Sequence, residues 1–201
     1  MTTLEIFNQV VFLRLNADLT TAVWKLNLAA AMAEYLIYLI PLILVSLWCW
    51  SNESQRALAL KACVVALVAL GINQFLSIVW PHPRPFMMGL GHTFIPHAAD
   101  SSFPSDHVTI FAAVGLTLLF ANIRSVAGWA SFLLGICVAW ARIFLGVHFP
   151  LDMLGAVAVV GVVWLGIRPV WRRIGGGLTA QVAAIYCALL ARPIALGWIR
   201  S

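Results

Sequence analysis

Long apolar runs separated by short polar breaks dominate the chain. Tyr35 to Asn52 and Ala62 to Trp80 carry no charged residue. Val108 to Ile123 and Met153 to Ile167 are shorter charge-free runs, near the lower limit for crossing a hydrocarbon core of roughly 30 Å as a helix. The pattern predicts spanning helices over about Ala22–Trp50, Ala62–Trp80, Asp106–Ile123, Ser125–Leu145 and Pro150–Ile167. Ahead of them, Leu4 to Leu15 mixes Glu5, Asn8 and Arg14 with Ile6, Phe7, Val10, Val11 and Phe12, and reads as an interfacial helix too short to span. Behind them, Arg168, Arg172 and Arg173 close the fifth helix, Gly175-Gly176-Gly177 reads as a hinge, and Leu178 to Ala191 as a surface helix.

Composition agrees with this pattern. The chain is 63% hydrophobic and 9% charged, with a mean hydropathy of +0.98. The expected fold is all-α: a polytopic membrane helix bundle of about five spanning helices with N- and C-terminal interfacial helices. One domain, 1–201, is expected, divided into an interfacial segment (1–20), a catalytic bundle (22–168) and a cytoplasmic hinge with surface helix (169–201). Cys49, Cys63, Cys137 and Cys187 lie in apolar runs without paired spacing and read as small core residues. Nothing at the N-terminus resembles a cleaved signal peptide.

The polar residues are not scattered. His82, His92, His97, His107 and His148 all fall in the loops after the second and fourth spans or at their helix edges, joined by Arg84, Arg142, Asp106 and Asp152. With five spans these loops share one side, so the residues form one composite site. In Ala141 to Asp152, Pro150 suits the first turn of a helix, placing His148 just outside it and Asp152 just inside. The Asp152 carboxylate then accepts a bond from one imidazole nitrogen and leaves the other free as base or nucleophile. Arg142 offers a planar fork for phosphate or carboxylate. Pro81-His82-Pro83-Arg84-Pro85 forbids helix and holds Arg84 on a stiff backbone. Ser105 sits where an N-cap belongs, and free N–H groups at that helix start suit an anion. Glu34 is an intramembrane acid, equally readable as a functional group or as a partner for a neighbouring helix. His82, His92 and His97 read as shaping the pocket or holding the loop. Arg56, Lys61, Arg124, Arg168, Arg172, Arg173, Arg192 and Arg200 lie opposite the site, and only Arg14 and Lys25 share its side once Arg84 and Arg142 are set aside. The site is therefore expected on the side away from the cytoplasm.

Arg84-Pro85, Pro104-Ser105-Asp106-His107 and Arg142…His148…Asp152 together resemble the three motif blocks of the type-2 phosphatidate phosphatase superfamily, in order and spacing. Further stretches, including Gly91-His92-Thr93, Pro96-His97-Ala98-Ala99-Asp100, Ala139-Trp140-Ala141-Arg142 and Gly197-Trp198-Ile199-Arg200, resemble its bacitracin-resistance branch, the undecaprenyl-diphosphate phosphatases. Three positions depart from the superfamily blocks: Ser77 stands where a Lys is usual, Asp106 for a Gly, and Ala141 for a Ser. Asp106 calls for a helix-capping role or a link to a site arginine.

The resemblance implies that the chain dephosphorylates undecaprenyl diphosphate to undecaprenyl phosphate and phosphate, recycling a cell-wall lipid carrier and giving bacitracin resistance. His148 would attack the terminal phosphorus, Asp152 orient it, and His107 protonate the leaving lipid phosphate and then activate water. Arg84, Ser105 and Arg142 would hold the phosphate, with Asp106, His97, His82 and Glu34 as further candidates. No cofactor, metal or nucleic acid is implied; the partners are a polyprenyl diphosphate and membrane lipids. Alternatives are a phosphotransferase passing the phosphoryl group to another lipid, a broader lipid-phosphate phosphatase, a metal-dependent hydrolase using the His cluster, and a lipid carrier. The metal reading lacks a compact ligand motif, and the carrier reading expects broken helices at mid-membrane.

Overall fold

The computed structural model describes residues 2–200, with helices and loops and no strand among them. Helix α1 spans Thr3–Leu15, α2 Val23–Tyr35, α3 Leu39–Trp50, α4 Glu53–Val79, α5 Asp106–Ala121, α6 Val126–Phe144, α7 Pro150–Leu189 and α8 Ala191–Ala195. Four stretches are long and apolar enough to cross a membrane: Val23–Trp50, Glu53–Val79, Val126–Phe144 and Pro150–Leu189. The first is not one helix. A 3-10 turn at Leu36–Tyr38 separates α2 from α3.

Helix α5 is the shorter, central element. It packs against α4, α6 and α7 and buries Val108, Phe111, Ala112, Ala113, Val114 and Leu118. Small residues let its neighbours come close. A Cβ on Gly135 of α6 would lie 2.8 Å from the Phe111 Cβ. At 16 residues α5 is only about 24 Å long at 1.5 Å per residue. That is less than the roughly 30 Å of a hydrocarbon core.

Helix α1 does more than lie in an interface. Its buried face carries Asn8 and Phe12, while Ile6, Phe7, Val10 and Leu13 are exposed. Asn8 Oδ1 accepts from the Leu151 N–H at 3.0 Å, filling one of the free donors at the start of α7. Phe12 packs edge-on against Phe149 at 5.2 Å. Beyond α1, the Asn16 amide donates to the His92 and Phe144 carbonyls and accepts from the His92 N–H, clasping both site loops. Gly146 turns the α6–α7 loop at φ +84, where a Cβ would run into the His92 carbonyl oxygen.

The expected hinge at Gly175–Gly177 is absent. Helix α7 runs unbroken through it for 40 residues, to Leu189, so most of the surface helix foreseen over Leu178–Ala191 is its last turns. Glycine weakens a helix by about 1 kcal/mol relative to alanine but does not forbid one. Here Trp171 packs over Gly175, and the Thr179 hydroxyl bonds the Gly175 carbonyl at 2.7 Å. The C-terminal residues fold back on this end: the Arg200 N–H bonds the Cys49 carbonyl, and Arg56 and Tyr186 both donate to the Arg200 carbonyl.

Candidate active site

At the opposite end of the bundle the helix ends and loops enclose a polar cavity of about 250 Å³. Its floor is the start of α7. Pro150 occupies the first helical position, and the Asp152 carboxylate reaches back to accept the Phe149 N–H at 2.7 Å. The same Oδ2 accepts from His148 Nδ1 at 3.1 Å and from the Ser102 hydroxyl. Three donors converge on this one buried oxygen and fix the carboxylate in place. With Nδ1 carrying the proton, the lone pair of His148 is on Nε2, at the cavity wall. The imidazole is 3% exposed, and burial pushes it down to about 4 against the raising effect of Asp152. His148 is thus neutral at physiological pH.

Two buried arginines face it. Arg84 is held on three sides: Nε donates to Asp100 at 2.8 Å, one terminal nitrogen to the Val147 carbonyl at 2.8 Å, and the other to the Ser101 carbonyl at 3.3 Å. The nitrogen on Val147 also lies 3.2 Å from His148 Nε2. This guanidinium N–H occupies the Nε2 lone pair, and a phosphoryl oxygen bound in the cavity would take the N–H over and free it. Arg142 donates to His97 Nε2 at 2.9 Å and to the Ala33 carbonyl at 3.4 Å, and its buried Nε–H has no partner. Burial opposes ionisation of Asp100, but the bond and charge of Arg84 hold its carboxyl below the ordinary value. His97, lowered chiefly by burial and next by Arg84, faces the cavity as a neutral ring.

Helix α5 brings His107 to the cavity, where its ring makes no hydrogen bond to any described residue. Ser105 stands at the N-cap position but does not cap with its side chain. Its hydroxyl is fully buried and unpartnered, and its N–H bonds the Asp152 carbonyl at 3.3 Å, joining the starts of α5 and α7. Ser105 itself does not line the cavity; its orphaned hydroxyl lies between Pro104 and Asp106, which do.

Asp106 neither caps a helix nor pairs with an arginine, as its position suggested. Its two oxygens accept from Asn73 at 2.8 Å and Gln74 at 3.0 Å on α4. Asn73, Gln74 and Ser77 line the cavity, so a wall of amides and a hydroxyl stands on the helix where the missing lysine would fall. His82 is outside the cavity. It packs on Phe149 at 5.9 Å, faces Glu5 at 3.6 Å, and its backbone anchors Ser101 and Ser102. Glu34 is exposed, lines no part of the cavity and forms no ion pair among the described residues. His92 contributes its backbone to the Asn16 clasp.

Sequence reasoning missed Ser102, Asp100 as the Arg84 partner, and the Asn73–Gln74 pair. Only the last left a trace: two adjacent amides near the end of an otherwise apolar helix.

No group of three or more His, Cys, Asp or Glu side chains with the geometry to hold a metal ion occurs among the described residues. The cavity lining joins the guanidiniums of Arg84 and Arg142 to imidazoles, hydroxyls and amides, and its two carboxylates are already taken up, Asp100 by Arg84 and Asp106 by Asn73 and Gln74.

Residues 58–176 match the PAP2 superfamily. Over 98% of its length the chain is 36% identical to YbjG of Escherichia coli (strain K12), a proposed undecaprenyl-diphosphatase, of which it covers 99%. It is 40% identical to the undecaprenyl-diphosphatase BcrC of Bacillus subtilis (strain 168) over 64% of the chain and 65% of BcrC. A PAP2-type phosphatidylglycerolphosphate phosphatase from Bacillus subtilis shares the fold, with a TM-score of 0.64 at 16% identity over 87% of this chain and 89% of that one.

Proposed function

The chain belongs to the PAP2 superfamily, and on that premise we propose that it is an undecaprenyl-diphosphate phosphatase acting through a phosphohistidine. One observation carries the mechanism: His148 is anchored through Nδ1 on Asp152 and turns Nε2 toward Arg84 at 3.2 Å. The terminal phosphate of the lipid diphosphate draws the Arg84 N–H off Nε2 and brings phosphorus to the freed lone pair. Arg84, Arg142 and the Ser105 hydroxyl take its oxygens, each such contact contributing about 3 kcal/mol in the transition state. The Nε2 lone pair attacks phosphorus, and the bond from phosphorus to the bridging oxygen breaks. His107, kept protonated in the complex by the diphosphate charge, gives its proton to the departing lipid monophosphate. The phosphohistidine is positive, and Asp152 offsets that charge. Neutral His107 then takes a proton from water as the water attacks phosphorus. The phosphorus–nitrogen bond breaks, inorganic phosphate leaves, and His148 and His107 return to their starting states.

An apolar groove of about 190 Å³ between α5, α6 and α7 supports a lipid substrate. Its wall includes Val108 and Met153, each the residue after a proposed catalytic group, and Ala139 and Gly135 of α6. A polyprenyl tail lies there with its diphosphate in the polar cavity. The cavity faces the periplasm of a bacterial inner membrane, since most cations outside the site lie at the other end of the bundle, and turnover there lowers sensitivity to bacitracin. The bundle acts as a single domain over the whole chain.

Purified protein in detergent with EDTA is expected to release phosphate from undecaprenyl diphosphate. Folded protein that releases none would overturn the assignment, and phosphate appearing on a second lipid instead would assign a phosphotransferase. The acid limb of kcat/KM follows from His148. Protonation of Nε2 removes the nucleophile, so activity is lost as pH falls through about 4, well below the ordinary imidazole value of about 6.5. Once the ionisation of the substrate is factored out, a limb near 6.5 would contradict a buried neutral His148.

A further inference from the structure

At the end of the bundle away from the catalytic cavity, α4, α5 and α7 enclose a second pocket, of about 390 Å³. Lys61, Arg168 and Arg172 line it, and no acidic residue does. None of the three forms an ion pair among the described residues. Lys61 is 9% exposed, with its ammonium 4.6 Å from the centre of the Trp164 ring, and the Arg168 guanidinium lies 5.7 Å from the same ring. These contacts with the aromatic face orient the cations without neutralising them. Two neutral donors join them. Thr117 is 1% exposed and its hydroxyl has no partner; the Trp164 indole N–H is also buried and unpartnered. Both residues line the pocket. Buried donors are normally satisfied, so two orphans beside three unpaired cations describe the imprint of an oxyanion.

We propose that this pocket binds the phosphate of an anionic phospholipid in the leaflet opposite the catalytic cavity. Its position selects a lipid over a free ion. Arg172 lies twenty residues beyond Asp152, about 30 Å along α7 and so about a hydrocarbon core away from the catalytic end. Exposed Phe120 lines the pocket and exposed Leu165 follows its Trp164 in the chain, an apolar border suited to acyl chains. Basic pockets between spanning helices near the positively charged end of a bundle take anionic headgroups in this way. Ligand there ties the short central helix α5 to α4 and α7, the two helices that carry the Asn73 wall and the His148–Asp152 anchor at the other end. The proposal does not rest on the phosphatase reading.

Full-length protein in detergent would be titrated with dioleoylphosphatidylglycerol, dioleoylphosphatidylcholine or inorganic phosphate, following retention by native mass spectrometry and the shift in Tm. Wild type is expected to retain phosphatidylglycerol and rise in Tm, with little response to phosphatidylcholine or to phosphate at equal concentration. Lys61→Gln and Thr117→Val should each weaken phosphatidylglycerol binding about tenfold or more. Arg84→Gln, altered only at the catalytic cavity, should keep the wild-type response. If Lys61→Gln fails to fold, the near-isosteric Thr117→Val carries the comparison. Equal binding in wild type and the pocket variants, or equal retention of phosphatidylcholine, would overturn the site, leaving the cations as side chains reaching for water. A response to inorganic phosphate that equals the lipid response and is lost in Lys61→Gln or Thr117→Val would overturn the lipid as its ligand.

Discussion

Replacing His148 by alanine is expected to lower kcat by roughly 10⁶, the scale on which loss of a covalent nucleophile removes turnover. Substrate binding should change only a few-fold. Arg84 keeps its bonds to Asp100, Val147 and Ser101, and Arg142 keeps His97 and Ala33, so the cradle for the phosphate does not depend on the imidazole. The substitution leaves a hole beside the cavity and removes one of three donors to Asp152. Phe149 and Ser102 still hold that carboxylate, and the start of α7 stays formed. Phosphate release by the purified variant, with binding measured separately on a non-hydrolysable diphosphonate, checks both parts. Turnover near wild type would remove His148 from the chemistry; lost binding with retained fold would make it a binding group.

Asp152→Asn should be the second largest, with kcat falling by about 10⁴ by analogy with other carboxylate–histidine pairs while the protein stays folded. One oxygen, Oδ2, serves both the Phe149 N–H and His148 Nδ1, so the two ends of the amide cannot be shared out between them. With the amide oxygen in that place the cap survives, and with it about 1 kcal/mol of helix stability, but the charge that offsets the imidazolium is gone. With the amide nitrogen there, a donor faces Nδ1 and favours the tautomer with its proton on Nε2, which closes the lone pair that faces Arg84. In either orientation kcat falls far more than Tm. A large fall in Tm with kcat per folded molecule preserved would show that Asp152 matters only as a cap.

The pair His148 and Asp152 was legible because its geometry is local. Four residues and one proline set both the helix start and the reach of the carboxylate. Arg84, Arg142 and His107 were legible as a group because charged and titratable side chains have no ordinary place between apolar spans. Ser102 carried no such signal; a serine in a polar loop is unremarkable until the chain folds it onto Asp152. Asp106 was read as a helix cap or arginine partner, yet its partners are amides 32 and 33 residues earlier on α4. The Gly175–Gly177 run shows the opposite failure, a strong local signal overridden by context. Trp171 covers the helix there, and the chain does not use the freedom three glycines offer. Glu34 was equally readable as a functional group or as a partner for a neighbouring helix; it stands exposed on α2 and lines no part of the cavity.

The stereochemistry at phosphorus tests the covalent step most directly. Undecaprenyl diphosphate made chiral at its terminal phosphorus with sulfur and oxygen isotopes would be hydrolysed in water of a third oxygen isotope, and the configuration of the released thiophosphate determined. Two in-line displacements, first by His148 Nε2 and then by water, predict retention. Inversion would mean that water attacks the lipid diphosphate directly, and that His148 serves as a base rather than as the atom that carries the phosphoryl group.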